Sequence, residues 1–307
     1  MKRWMKWIGI VCLVPVALII LLSLLLYFPP VQDMARKKAI AYAEKTTGTR
    51  IQIDKIRLSF PLNLAVQNVL IVNPPADTLL SLQSLQVRIK LLPLLKMQVV
   101  ADAVDLRGGQ INSGKFLKDM LVKGSVGHLH AKANHIVLSK KRAILNSFDL
   151  SDSHLFLRID SAFTPEDTTS TPSDWKLVLE KVTFNQVSFA LQLPGDTTKM
   201  STTVEKAVLS GGTADLARSS YSANKFYFTG GTLTYDSDTL ERKSGLDFAH
   251  LAIGQLQAEV DSLSYCGKEF SAHIRDFSFT EQSGLKVSSI ENFSLYILFV
   301  DKASKTS

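Results

Sequence analysis

Apolar and polar residues alternate along most of this chain. Leu58, Phe60, Leu62, Leu64 and Val66 are interleaved with Ser59, Pro61, Asn63 and Ala65, the period of two that sends successive side chains to opposite faces of a strand. The stretches LLSLQSLQVRIKLL and MQVVADAVDL continue in the same way. Further on a loose unit recurs: two apolar residues flanking one other, a small or polar corner, then a second alternating pair. It reads VDLRGGQIN from Val104, FDLSDSHLFL from Phe148, VTFNQVSFAL from Val182, VLSGGTADL from Val208 and FYFTGGTLTY from Phe226. Glycine pairs 108–109, 211–212 and 230–231 fill three of the corners. Because glycine accepts positive φ at no steric cost, these corners predict hairpin turns. The unit starts are unevenly spaced, which excludes a fixed-period solenoid. About twenty strands at 4.8 Å would make a sheet on the order of 100 Å long, and less if it twists or folds back.

Two segments break the alternation near the N-terminus. From Trp7 to Phe28 about 22 residues carry no charge, enough to cross a bilayer as a helix. The run ends in Tyr27-Phe28-Pro29-Pro30 rather than in the small residues of a cleavage site, so it reads as an uncleaved anchor, not a signal peptide. Lys2, Arg3 and Lys6 on one flank nearly balance Arg36, Lys37 and Lys38 on the other. The nearer cluster places residues 1–6 in the cytoplasm and the bulk of the chain across the membrane. Residues 31–47 set Val31, Met34, Ala35, Ala39, Tyr42 and Ala43 at helical spacing with Gly48 as C-cap, a short amphipathic helix. Beyond it, residues 48–307 are expected to be β-rich, with KFLKDMLV at 115–122 as the one doubtful helix and Ser161–Asp174 as a surface loop. The strand-like run Ile290–Val300 followed only by DKASKTS leads to the expectation of a fragment of a longer protein.

Composition narrows the chemistry. With 46% apolar and 21% charged residues the chain is not disordered as a whole. Cys12 and Cys266 are too few for a disulfide framework or a four-ligand zinc site. The net charge of +7 includes Lys2, Arg3 and Lys6, and the remainder is too dilute to predict nucleic-acid binding. GQINSGKF at 109–116 has P-loop spacing up to Lys115 but places Phe116 where the magnesium-binding hydroxyl belongs. His128 and His130 share a strand face with Lys132 while His135 falls opposite, and no neighbouring carboxylate in the sequence completes a metal set, so a polar strand face is expected. Cys266 reads as a packed small residue. No catalytic constellation is found, and no cofactor or metal is expected. Asp followed by Ser or Thr, as at Asp77-Thr78 and Asp261-Ser262, resembles the O-glycosylation acceptor motif of extracytoplasmic Bacteroidota proteins, and also reads as an ordinary turn.

The segment TGTRIQIDKIRLSFPLNLAVQNVLIVNP, residues 47–74, followed by DTLLSLQSLQVRIKLLPLL, resembles the N-terminal region of AsmA-like proteins, closest to the TamB branch as found in Bacteroidota. The cues are Thr47-Gly48, the Ile53/Ile56/Leu58 pattern, Phe60-Pro61-Leu62, Asn68-Val69 and the run Leu91-Leu92-Pro93-Leu94-Leu95, in that order. The resemblance implies an inner-membrane anchor, an elongated twisted β-sheet folded into an apolar groove in the periplasm, and a part in phospholipid transport or, with a barrel partner in the outer membrane, in outer-membrane protein assembly. Leu62, Leu64, Phe184, Phe189, Phe226 and Phe228 are the expected lining of such a groove, each belonging to an alternating apolar pair. Two alternatives stay open at this level. The same residues fit the core of a β-sandwich or closed β-structure, and the same chain fits a non-enzymatic envelope scaffold without a lipid groove.

Overall fold

A computed structural model describes residues 27–59, 62–73, 77–90, 101–114, 120–137 (135–137 as backbone only), 141–159, 174–194, 198–238 and 240–298. Among these, one helix, α1 (Pro29–Thr47), precedes thirteen strands: β1 (Arg50–Ser59), β2 (Asn63–Asn73), β3 (Asp77–Ile89), β4 (Ala101–Asn112), β5 (Met120–Val137), β6 (Arg142–Ile159), β7 (Lys176–Gln192), β8 (Lys199–Asp215), β9 (Ser220–Ala223), β10 (Lys225–Asp236), β11 (His250–Cys266), β12 (Glu269–Glu281) and β13 (Lys286–Leu298). No helix of the described residues is long and apolar enough to cross a membrane. The expected anchor, 7–28, lies outside them apart from Tyr27 and Phe28.

The chain is mainly β, and all thirteen strands form one sheet. It runs in chain order from β1 to β13, with short β9 sharing the place of β10 between β8 and β11. Neighbours are antiparallel except β6 and β7, which are parallel. β1 and β13 end the path and do not pair with each other, so the sheet does not close into a barrel by strand pairing, and no second sheet forms a sandwich among the described residues.

The recurring corners explain why there are thirteen strands and not about twenty. Gly108, Asp152, Gln186, Gly211 and Gly230, one from each unit, have φ between 51° and 65°, yet each lies in the interior of a strand. The expected hairpin turns are therefore mid-strand kinks. Pairing is one-to-one across Gly108, Asp152, Gln186 and Gly211, so no residue is inserted there. The left-handed residue kinks its strand, and residues three apart on either side of it share a face. Asn68, Gln255 and Asn292 do the same in β2, β11 and β13. The price of such a kink appears on the neighbouring strand at Gly127. A Cβ there would lie 2.7 Å from the Asp152 carbonyl oxygen of β6, so only glycine fits beside the bend.

Helix α1 starts two residues earlier than the 31–47 expected, because Pro29 and Pro30 lack only donors that a first helical turn leaves free anyway. Gly48, at φ 71°, ends it with its N–H on the Glu44 carbonyl at 2.9 Å. Met34 and Tyr42, expected on the apolar stripe, are exposed; Val31, Ala35 and Ala39 line a cavity of about 250 Å³ with Ile56, Leu58 and Leu64. Met120–Val122, part of the doubtful helix at 115–122, begin β5, and 115–119 lie outside the described residues, as does 161–173 of the expected loop.

Candidate functional site

The registers allow each face of the sheet to be followed from strand to strand. One row on one face runs Leu58, Leu64, Val87, Val104, Ala131 and Phe148 across β1 to β6. It continues Val182, Leu209, Phe226, Val260, Ile274 and Phe293 to β13. The adjacent row is Ile56, Val66, Leu85, Leu106, Leu129 and Leu150, then Phe184, Ala207, Phe228, Ala258, Phe277 and Ile290. Every position in both rows is apolar. Beyond the kinks a further row, Ile51, Ile71, Leu80, Ile111, Gly124, Leu155 and Phe189, keeps this character across seven strands, then meets Thr202 on β8.

Five of the six residues singled out from sequence thus share one face: Leu64 and Phe226 in the first row, Phe184 and Phe228 in the second, Phe189 in the third. Leu62 sits in the β1–β2 turn, its carbonyl accepting the Ile89 N–H at 3.0 Å. The phenyl rings meet across strands, with centroids 6.4 Å apart for Phe148 and Phe184 and 6.5 Å for Phe277 and Phe293. The kinks hold these rows in line. At Gly231 a Cβ would stand 2.0 Å from the Phe228 ring and at Gly212 2.7 Å from Leu209, because the residue after the kink shares a face with the one three positions before it.

This face is apolar and only partly buried. Among the described residues, the side chains under 2% exposed are polar, Glu281 and Ser153. Phe184, Phe189 and Phe226 are half-buried, while Leu150, Val182, Ala207, Phe228 and Val260 of the same rows are buried. Full burial of a side chain of this size stabilises by roughly 1.5–3 kcal/mol, and half-buried rings leave part of that unrealised.

The opposite face is polar, and its most concentrated chemistry is at β4 and β5. Asp105 pairs in register with His130, and His128 lies one alternation further along. One carboxylate oxygen, Oδ2, lies 2.8 Å from His128 Nε2 and 3.2 Å from His130 Nδ1, while Arg107 Nε donates to Oδ1 at 3.0 Å. Burial pushes Asp105 up, but hydrogen bonds from His128 and Arg107 outweigh it and hold the carboxyl at about 2. The expectation that the histidines have no carboxylate nearby is corrected here. Asp105 is 23 residues before His128, and only the β4–β5 pairing brings it close. Lys132 shares their face, as the alternation predicts, whereas the side chain of His135 lies outside the described residues. Gly109 of the P-loop-like stretch is buried within β4, and Cys266, expected to be packed, is exposed at the end of β11.

No family model matches the chain, and no curated protein matches it.

Proposed function

We propose that this chain is a non-enzymatic, inner-membrane-anchored protein whose apolar sheet face forms a groove that takes up the acyl chains of phospholipids, serving lipid transport or outer-membrane protein assembly in the envelope. The observation that carries the reading is the pair of uninterrupted apolar rows across twelve strands, a stripe about 50 Å long at roughly 4.8 Å per strand. A lipid chain of about sixteen carbons costs on the order of 12 kcal/mol to expose to water at about 0.8 kcal/mol per methylene. A partly buried apolar stripe offsets that cost and gains the burial that Phe184, Phe189 and Phe226 lack. The uncharged run at 7–28 and the likeness of residues 47–74 to AsmA-like proteins support the membrane setting. A second reading, an envelope scaffold, draws on a different observation: β13 ends the sheet with exposed Tyr296 and Leu298, an edge able to receive a strand from a protein partner.

Full-length protein extracted in mild detergent should carry phospholipid detectable by mass spectrometry, and Phe184→Asp/Phe226→Asp should lose most of it while keeping the anchor and the β circular dichroism. Equal lipid in both proteins would assign the lipid to the anchor and leave the scaffold.

A further inference from the structure

Independently of the apolar face, we propose that Asp105, His128 and His130 form a binding site for a divalent transition-metal ion of the zinc type. Two imidazoles and a carboxylate are the donor set such ions favour. Zinc bonds of 2.0–2.2 Å in a tetrahedron set neighbouring ligand atoms about 3.3 Å apart. Here the carboxylate oxygen lies 2.8 and 3.2 Å from the two ring nitrogens, and all three ligand atoms lie within 4.8 Å of one another. An ion therefore enters by small side-chain rotations, in place of the protons these groups now share.

The surroundings suit the role. Arg107 holds the carboxylate by its other oxygen, the kind of outer hydrogen bond that orients a ligating group. Asp149 on β6 is the register partner of His130 on the side away from Asp105, so a second carboxylate flanks the site on the same face. The ligands come from two paired strands, and His128 follows Gly127, the position that the β6 kink restricts to glycine. The backbone that presents the histidines is thus fixed by packing rather than by a loop. All three groups are half-buried, which leaves room for water or an external ligand to complete the shell. A bound ion would clamp β4 to β5 beside the bend.

Untagged full-length protein in detergent, stripped with chelator and dialysed, should take up one equivalent of Zn²⁺ by calorimetry. His128→Ala/His130→Ala should lose that equivalent, and Asp105→Asn, which keeps the shape of the side chain, should weaken it by at least about tenfold. X-ray absorption at the zinc edge of the unsubstituted protein should show two imidazoles, a readout that needs no variant to fold. No stoichiometric binding, equal binding by the folded variants, or a shell of oxygen alone would each overturn the proposal.

Discussion

At one edge of the sheet, α1 lies along β1 and hands its side chains to backbone groups that no strand pairs. Glu44 accepts the Ile51 N–H at 2.8 Å, Gln32 donates to the Leu58 carbonyl at 2.9 Å, and Arg36 donates to the Ile53 carbonyl. At the other edge, β13 presents Ile290, Leu295, Tyr296, Ile297 and Leu298 exposed, with Tyr296 at 65% and Leu298 at 56%, and no described element lies beyond it. The difference teaches that polar satisfaction of an edge and apolar covering of a face are separate tasks. The helix satisfies three backbone groups of β1 while covering only the first strands of the apolar face, at Ile56, Leu58 and Leu64. An unpaired edge is a template for another strand, so among the described residues α1 obstructs such pairing at β1 while nothing covers β13.

The strongest way to break this contrast is to remove the cap. Gln32→Ala/Arg36→Ala/Glu44→Ala deletes three side-chain bonds worth about 1 kcal/mol each, so a loss of about 3 kcal/mol is expected in chemical denaturation. Amides of β1 should then exchange as fast as those of β13. Next in size is a substitution remote from both edges. Gly127→Val forces a side chain against the Asp152 carbonyl and should cost about 1–3 kcal/mol, with no difference between the edges in hydrogen exchange.

Changing pH should sharpen the contrast locally. The loop between β10 and β11 is tied down near the β13 side by Glu281, which accepts N–H groups of Ser283 at 2.7 Å and Ala252 at 3.2 Å and pairs with Arg242, and by Asp247, which accepts from Lys243 and Ala249. Bonds from Ser283 hold Glu281 at about 2, and bonds led by the Lys243 N–H hold Asp247 at about 2. Because both lie below ordinary carboxylate values, their contribution is complete at neutral pH and is lost as pH falls from about 4 toward 2. His250 runs the other way. Its hydrogen bond to Asp247 raises it above 6.5, so its contribution is complete below 6.5 and is lost as pH rises through the raised value. Hydrogen exchange should therefore show β11 and β12 losing protection at both extremes, earlier than β2 and β3. The smallest effect belongs to Ile297→Lys. A charge on the open edge should suppress self-association in sedimentation while changing stability by less than about 0.5 kcal/mol.

Much of the architecture was legible in the alternation of residues. The units at Val104, Phe148, Val182, Val208 and Phe226 mark real positions of positive φ, but a left-handed residue serves a hairpin or a kink equally well, and the distinction rests on which strands pair on either side. Asn68, Gln255 and Asn292 escaped notice because Asn and Gln advertise a left-handed backbone less than a glycine pair does. In the candidate metal cluster the i, i+2 histidines were visible, whereas Asp105 was one acidic residue among many until β4 paired with β5.

By itself the sequence determined the β class, the helix ending at Gly48 and the two-faced character of the strands, because these follow from local periodicity and backbone preference. The tertiary structure alone decided that the corners are bends, that twelve strands align their apolar positions into continuous rows, and that one edge is capped while the other is not. Register is a relation between segments far apart in the chain, and no local pattern records which residue will stand opposite which.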